Sequence, residues 1–173
     1  AEIDPEEKRR LLTFHVVGAG FTGVEMAGEL AEYVPILCEK YEIPRKTVAI
    51  SVIDILPRVV PALPEKLSAK VHGRLSRMGV RMLLNTKVIN IGKDFIEIEV
   101  DGKKAHEKSG TVIWAAGIEA SDITAKAAQI LTSGKRGRIQ LDPFLRSVDD
   151  DHVYVAGDNM LYIPEGEKDP VPQ

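Results

Sequence analysis

Apolar and polar positions change rhythm several times along this chain, and each change marks an element. Residues 1–10, AEIDPEEKRR, are charged and read as a lead-in, the end of a preceding helix or a connection. Residues 11–17 form an apolar run of strand length. From Phe21 a helix follows, carried onward by Val34, Leu37 and Tyr41 until the chain loops back through Pro44. Residues 47–53, TVAISVI, are β-branched and predict a second strand. Beyond the proline-rich loop ILPRVVPALP, the spacing of Leu67, Val71, Leu75 and Met78 predicts a helix over residues 65–78, which Gly79 stops in the left-handed manner. Residues 80–84 make a third strand, and this alternation predicts a parallel sheet with right-handed crossovers.

At Lys87 the period becomes two. KVINI, then FIEIEV with Phe95, Ile96, Ile98 and Val100, then the turn Asp101-Gly102 and the return KKAHEK read as an antiparallel meander over residues 87–108. A further parallel strand covers residues 111–115 and leads into Ala115, Ala116 and Gly117. Such small residues let a backbone lie close to a flat ligand, and they serve equally in a tight core turn. The fold class is therefore α/β, a parallel sheet with helices and an inserted antiparallel β-meander. The expected division is a lead-in at 1–10, a domain at 11–120 and a return segment at 121–173.

Candidate chemistry enters at the end of the first strand, where Gly18, Gly20 and Gly23 stand in the spacing G-x-G-x-x-G with Phe21 and Thr22 between them. If a dinucleotide sits here, Gly18 makes the turn, Gly20 admits the pyrophosphate and Gly23 allows close packing of helix on strand. Free amides at the helix start then meet the phosphates. This makes the fold Rossmann-like. Thr22 also fits a helix cap, with Glu25 completing the capping-box pattern T-x-x-E. An acidic residue is required at the end of the next strand to hold the ribose, and Asp54 stands there. Its separation from the glycines exceeds the usual ~20 residues, and the excess lies in residues 31–46. A carboxylate repels a 2′-phosphate, so Asp54 points to NAD over NADP. Arg58 is the opposing hint, as a partner for a 2′-phosphate, a stacking surface for adenine, or a solvated loop residue.

Composition narrows the classes. With 173 residues and a net charge of -3, the chain is long enough for a core and carries no field that would gather nucleic acid. The histidines, His15, His72, His106 and His152, are scattered, so no metal is expected. The single Cys38 lies on the apolar side of the first long helix and reads as a buried thiol. No apolar run reaches the length of a membrane span, and this stretch reads as soluble.

The succession GAGFTGVEMAGEL, VIDILPRVVP, GVRMLLNTKVINI, TVIWAAGIEAS, RGRIQLDPFLRS and VYVAGDN resembles the pyridine nucleotide-disulfide oxidoreductase superfamily of FAD/NAD(P)-binding flavoproteins. Within it, the chain looks most like the type II NADH dehydrogenases. The resemblance implies NAD(H) at Gly18, Gly20, Phe21, Thr22 and Gly23, with Asp54 on the adenosine ribose and the A-x-G turn at Ala115, Ala116 and Gly117 beside the NAD site. It implies that Gly157 and Asp158, closing a VYVAGD strand, meet a ribityl hydroxyl of FAD; the plainer reading of Asp158 is a cap on a surface turn. It implies also that Glu25 lies by the nicotinamide and flavin as a catalytic residue.

For the whole protein the resemblance implies hydride transfer from NADH to FAD and on to a quinone or similar acceptor. Peripheral attachment on the cytoplasmic side of a membrane through a missing carboxy-terminal region follows from it, and it leaves room for a homodimer. The present stretch reads as an NAD domain without the remainder of the flavin domain, and as inactive alone. Two other readings share the motifs in part: a disulfide, ferredoxin or nitrite reductase of the same superfamily, and a non-enzymatic NADH-sensing module.

Overall fold

A computed structural model describes residues 4–167, 170 and 171. The chain forms two compact units, Ala1–Ala116 and Gly117–Gln173. The first unit begins with helix α1 (Pro5–Leu11), strand β1 (Thr13–Val17), the long helix α2 (Phe21–Lys40), strand β2 (Ala49–Ile53), helix α3 (Glu65–Arg77) and strand β3 (Val80–Leu83). The meander follows as β4 (Lys87–Ile91), β5 (Phe95–Val100) and β6 (Lys103–Lys108), and the chain returns to the sheet as β7 (Thr111–Trp114). The four parallel strands stand in the order β3-β2-β1-β7. The chain therefore moves outward from β1 to β3 and then crosses back to its other side. That reversal leaves a crevice at the carboxyl ends of β1 and β7, where doubly wound sheets bind their ligands.

Alternation along the strands assigns the two faces. Val16, Ile50, Val52 and Val80 pack with Ala27, Ala31, Val34 and Cys38 of α2 and Leu75 of α3. Cys38 is buried as expected. On the opposite face Val17 and Ile53 pack with Ile96 and Ile98 of the meander. There, too, His15 is buried with its Nδ1 2.5 Å from the Ser51 hydroxyl. Its Nε2 has no hydrogen-bond partner and lies 3.9 Å from a Glu107 carboxylate oxygen, while Arg81 holds the other oxygen of Glu107 at 2.8 Å. Burial lowers the His15 pKa; Glu107 opposes that shift and Arg81 adds to it.

Several boundaries differ from expectation for local reasons. The lead-in is a short helix, capped by Asp4 through the Glu7 amide and tied to the end of the meander by Lys108 and Glu6 at 2.7 Å. It takes up Leu11, so β1 starts at Thr13. A 3-10 turn at Arg45–Thr47 delays β2 to Ala49. In α3, Ser68 faces inward because its hydroxyl donates to the Val59 carbonyl at 2.6 Å, and Leu67 is left exposed. Phe95 sits on the other face of the meander from Ile96 and Ile98, stacked on His106. The Asp101-Gly102 turn has φ of 50° and 72°, as a two-residue hairpin with the favoured twist requires.

The second unit holds α4 (Asp122–Ala127), capped by Ser121, and two short parallel strands, β8 (Ile139–Gln140) and β9 (Met160–Leu161). Ile139, Leu141 and Ser147 are buried in it. VYVAGD is not a regular strand. It is bonded to residues 145–147, just past a turn, through Ser147 to Val153 and Val155 to Leu145, with one isolated bridge at Tyr154. Gly157 then turns the chain at φ 68° into a 3-10 turn, and β9 begins at Met160.

Candidate functional site

The glycine loop leaves β1 where the Gly18 amide donates to Ile53 at 2.8 Å. Gly18 has φ 106°, and a Cβ there would stand 2.8 Å from the Ala115 carbonyl. The exit of β7 is therefore pressed onto the first glycine. A Cβ on Gly23 would lie 1.8 Å from the Gly18 carbonyl oxygen, so the first turn of α2 rests directly on the loop. Gly20 differs: nothing of the protein lies within 4 Å of its Cβ position. The constraints at Gly18 and Gly23 are internal to the fold, whereas Gly20 opens outward.

Gly20 is also the N-cap of α2, and no side chain caps that end. The first bond of the helix runs from the Val24 amide to the Gly20 carbonyl at 3.1 Å, so the preceding amides point out of the helix start. The expected cap by Thr22 does not form, because the helix already begins at Phe21 and Thr22 lies inside it. The capping-box account of Glu25 falls with it. Glu25 is exposed and lines an open cleft between α2 and α3 with Lys70 and Arg74.

Asp54 meets the loop directly. One carboxylate oxygen accepts from the Ala19 amide at 2.6 Å and the other from the Leu56 amide at 2.8 Å. An ionised carboxylate offers about four lone-pair sites, so each oxygen keeps capacity. Beside it lies a cleft of about 210 Å³ that joins Gly18, Asp54, Thr86, Lys87, Trp114 and Ala116. Trp114 is exposed there, its indole N–H donating to the Ala116 carbonyl at 2.6 Å. Thr86, Lys87 and Trp114 stand inside the segments that carry the family resemblance, but no residue type among them marked them for the site; their place at strand ends brings them to this cleft.

Arg58 is engaged elsewhere. Its guanidinium donates to the Leu63 carbonyl at 2.9 Å and the Pro61 carbonyl at 2.6 Å, both within its own loop. In the same loop Val59 and Val60 are buried, and the Val60 amide donates to the Ala19 carbonyl at 2.7 Å. Val60 does this at φ 42°, a region that costs a β-branched residue of order 1–3 kcal/mol. In the second unit, Gly117 has φ 75°, and Gly157 has φ 68° with no neighbour at its Cβ position. Asp158 is exposed in the turn that follows.

Residues 3–169 match the pyridine nucleotide-disulphide oxidoreductase family. The chain belongs to that family. A type II NADH:quinone oxidoreductase of Staphylococcus aureus is 35% identical over 161 residues, which are 93% of this chain and 39% of that protein. The chain thus spans about two fifths of the length of the curated relatives it matches. Among solved structures, NDH2 from Plasmodium falciparum in complex with NADH superposes with a TM-score of 0.85 at 24% identity, covering 93% of this chain and 34% of that one. An NAD-dependent persulfide reductase from A. fulgidus superposes at 0.62 with 27% identity, covering 86% and 25%. These likenesses agree with the α/β architecture described above. Among the described residues, no helix is long and apolar enough to cross a membrane.

Proposed function

We propose that this chain is the NADH-holding part of an FAD-dependent NADH:quinone oxidoreductase. The observation that carries the reading is the pairing of an open, uncapped helix start at Gly20 with the Asp54 carboxylate held against the same loop. A pyrophosphate over Gly20 takes the outward amides and the positive end of α2. Asp54 keeps lone pairs for two ribose hydroxyls, and its charge turns away a 2′-phosphate. Ala115 and Ala116, pressed on Gly18, form a flat wall on which the dinucleotide continues toward the nicotinamide.

FAD, bound by the whole protein, supplies the chemistry of accepting a hydride and passing electrons to a quinone. Of this chain's residues, Gly157 and Asp158 would hold it: Gly157 leaves room for close approach, and the exposed Asp158 carboxylate suits a ribityl hydroxyl. By the family resemblance Glu25 would stand beside the reacting rings, and Glu25→Gln in the full-length enzyme is expected to slow turnover without unfolding it. Membrane attachment at the cytoplasmic face and any dimer belong to the whole protein.

The test uses Trp114, the chain's single tryptophan. NADH is expected to quench it by energy transfer with saturation, and NADPH to do so only at much higher concentration. Asp54→Ser should narrow that gap. Equal response to both dinucleotides in the unaltered chain would sink the assignment of Asp54, and no response to either would sink the site.

A further inference from the structure

We propose that residues 55–64 form a brace that sets the glycine loop in its binding shape, with Arg58 as the positioning residue. The inference deepens the NADH reading and rests on it for its binding consequences. Ala19, between the first two glycines, is fully buried, and the strand-end Asp54 and the loop after it grip both of its backbone groups. Its amide donates to Asp54, and its carbonyl accepts from Val60. The second grip requires Val60 at φ 42°, which a free loop would abandon.

Three contacts keep it there. The Arg58 guanidinium ties the carbonyls of Pro61 and Leu63, closing the segment into a loop around Val59 and Val60. Ser68 on α3 holds the Val59 carbonyl. The Leu63 amide donates to the Val60 carbonyl at 2.9 Å, closing a turn on the strained residue. A planar fork suits two diverging carbonyls in a way an ammonium does not. Arg58 thus acts on the dinucleotide at second hand: it holds Val60, Val60 holds Ala19, and Ala19 presents the loop. A loop preset in this way spares the ligand the ordering cost of shaping it.

The experiment is amide hydrogen exchange on the 173-residue chain and on Arg58→Met, Arg58→Lys and Ser68→Ala, with NADH and NADPH titrations of each. In Arg58→Met, exchange at the Ala19 and Val60 amides should rise about tenfold, while Val16 and Val52 in the sheet keep their protection. NADH affinity should fall with it, and the ratio of NADH to NADPH affinity should stay the same. Arg58→Lys should recover little, and Ser68→Ala should give a smaller rise at the same two amides. Unchanged exchange at Ala19 and Val60, or a rise spread evenly through the sheet, overturns the brace. An altered NADH to NADPH ratio in Arg58→Met overturns it as well, by making Arg58 a ligand contact. If Arg58→Met does not fold, Ser68→Ala and Arg58→Lys decide by the same amides. Failure of the unaltered chain to bind NADH would count against the NADH reading alone, since the exchange comparison needs no ligand.

Discussion

The two faces of the parallel sheet are closed by different means. Toward α2 and α3 the interface is largely apolar, with Val16, Ile50, Val52 and Val80 meeting alanines, valine, cysteine and leucine, and the inward Ser68 bonded to the Val59 carbonyl. Toward the meander only Val17, Ile53, Ile96 and Ile98 form a dry core, and beside them His15, Ser51, Arg81 and Glu107 are drawn into one polar cluster. The first face is held by area, the second by area and by matched polar groups. A face of the second kind depends on every partner being present, because a buried polar atom left alone costs more than the bond it made.

The comparison can be broken first at its strong side. Ile50→Ala should cost about 2–5 kcal/mol in a denaturant titration and raise exchange through the whole first unit, since its site joins strand and helices. Ile96→Ala, equally buried, should cost somewhat less, about 2–4 kcal/mol, with the exchange increase confined to β4, β5 and β6. Equal spreading in the two variants would mean that the faces are one cooperative core. Ser51→Ala should cost about 1–3 kcal/mol by leaving the buried His15 Nδ1 without its hydroxyl.

The next effect is a pH dependence. His15 has a folded-state pKa below its ordinary value, because burial disfavours the charged ring. The unfolded chain therefore takes up the proton first, and stability present above the ordinary histidine range of about 6.5 is lost as pH falls through the lowered value. Denaturation midpoints measured from pH 7 downward should drop more steeply in the natural chain than in His15→Gln. Parallel curves would remove His15 from the acid response. The smallest effect is expected on the helix side: Leu67→Ala, on the exposed flank of α3, should change stability by no more than about 0.5 kcal/mol.

These faces also show what was legible in the sequence. The glycine spacing, the meander's period of two and the succession of strands along the chain follow from local pattern, whereas the spatial order β3-β2-β1-β7 does not. The orientation of α3 was not legible, since a leucine at helical spacing outranks a serine on any apolar scale. What reverses that ranking is the Val59 carbonyl, which Ser68 satisfies. Phe95 had no face assigned by the pattern: on a strand, neighbours alternate faces, and the ring of His106 gives Phe95 a partner outside the core. Thr22 fitted a capping pattern, yet the loop geometry starts the helix two residues earlier, with Gly20 at the cap. In the candidate site, Asp54 was readable as a carboxylate at a strand end. Its grip on Ala19 was not, because a backbone amide leaves no trace in residue type.

The meander lies between β3 and β7, and this placement bears on the order in which the molecule can assemble. Strands β1, β2 and β3 and their helices are near neighbours along the chain, while the pairing of Val17 with Trp114 closes a loop across most of the first unit. Long loops are slow to close, so local pairings form ahead of it. Gly18 therefore waits for Ala115 and Ala116 until the meander has been made and passed. During synthesis, a nascent chain ending before Ala115 would carry every glycine of the motif and still lack the wall against which they pack.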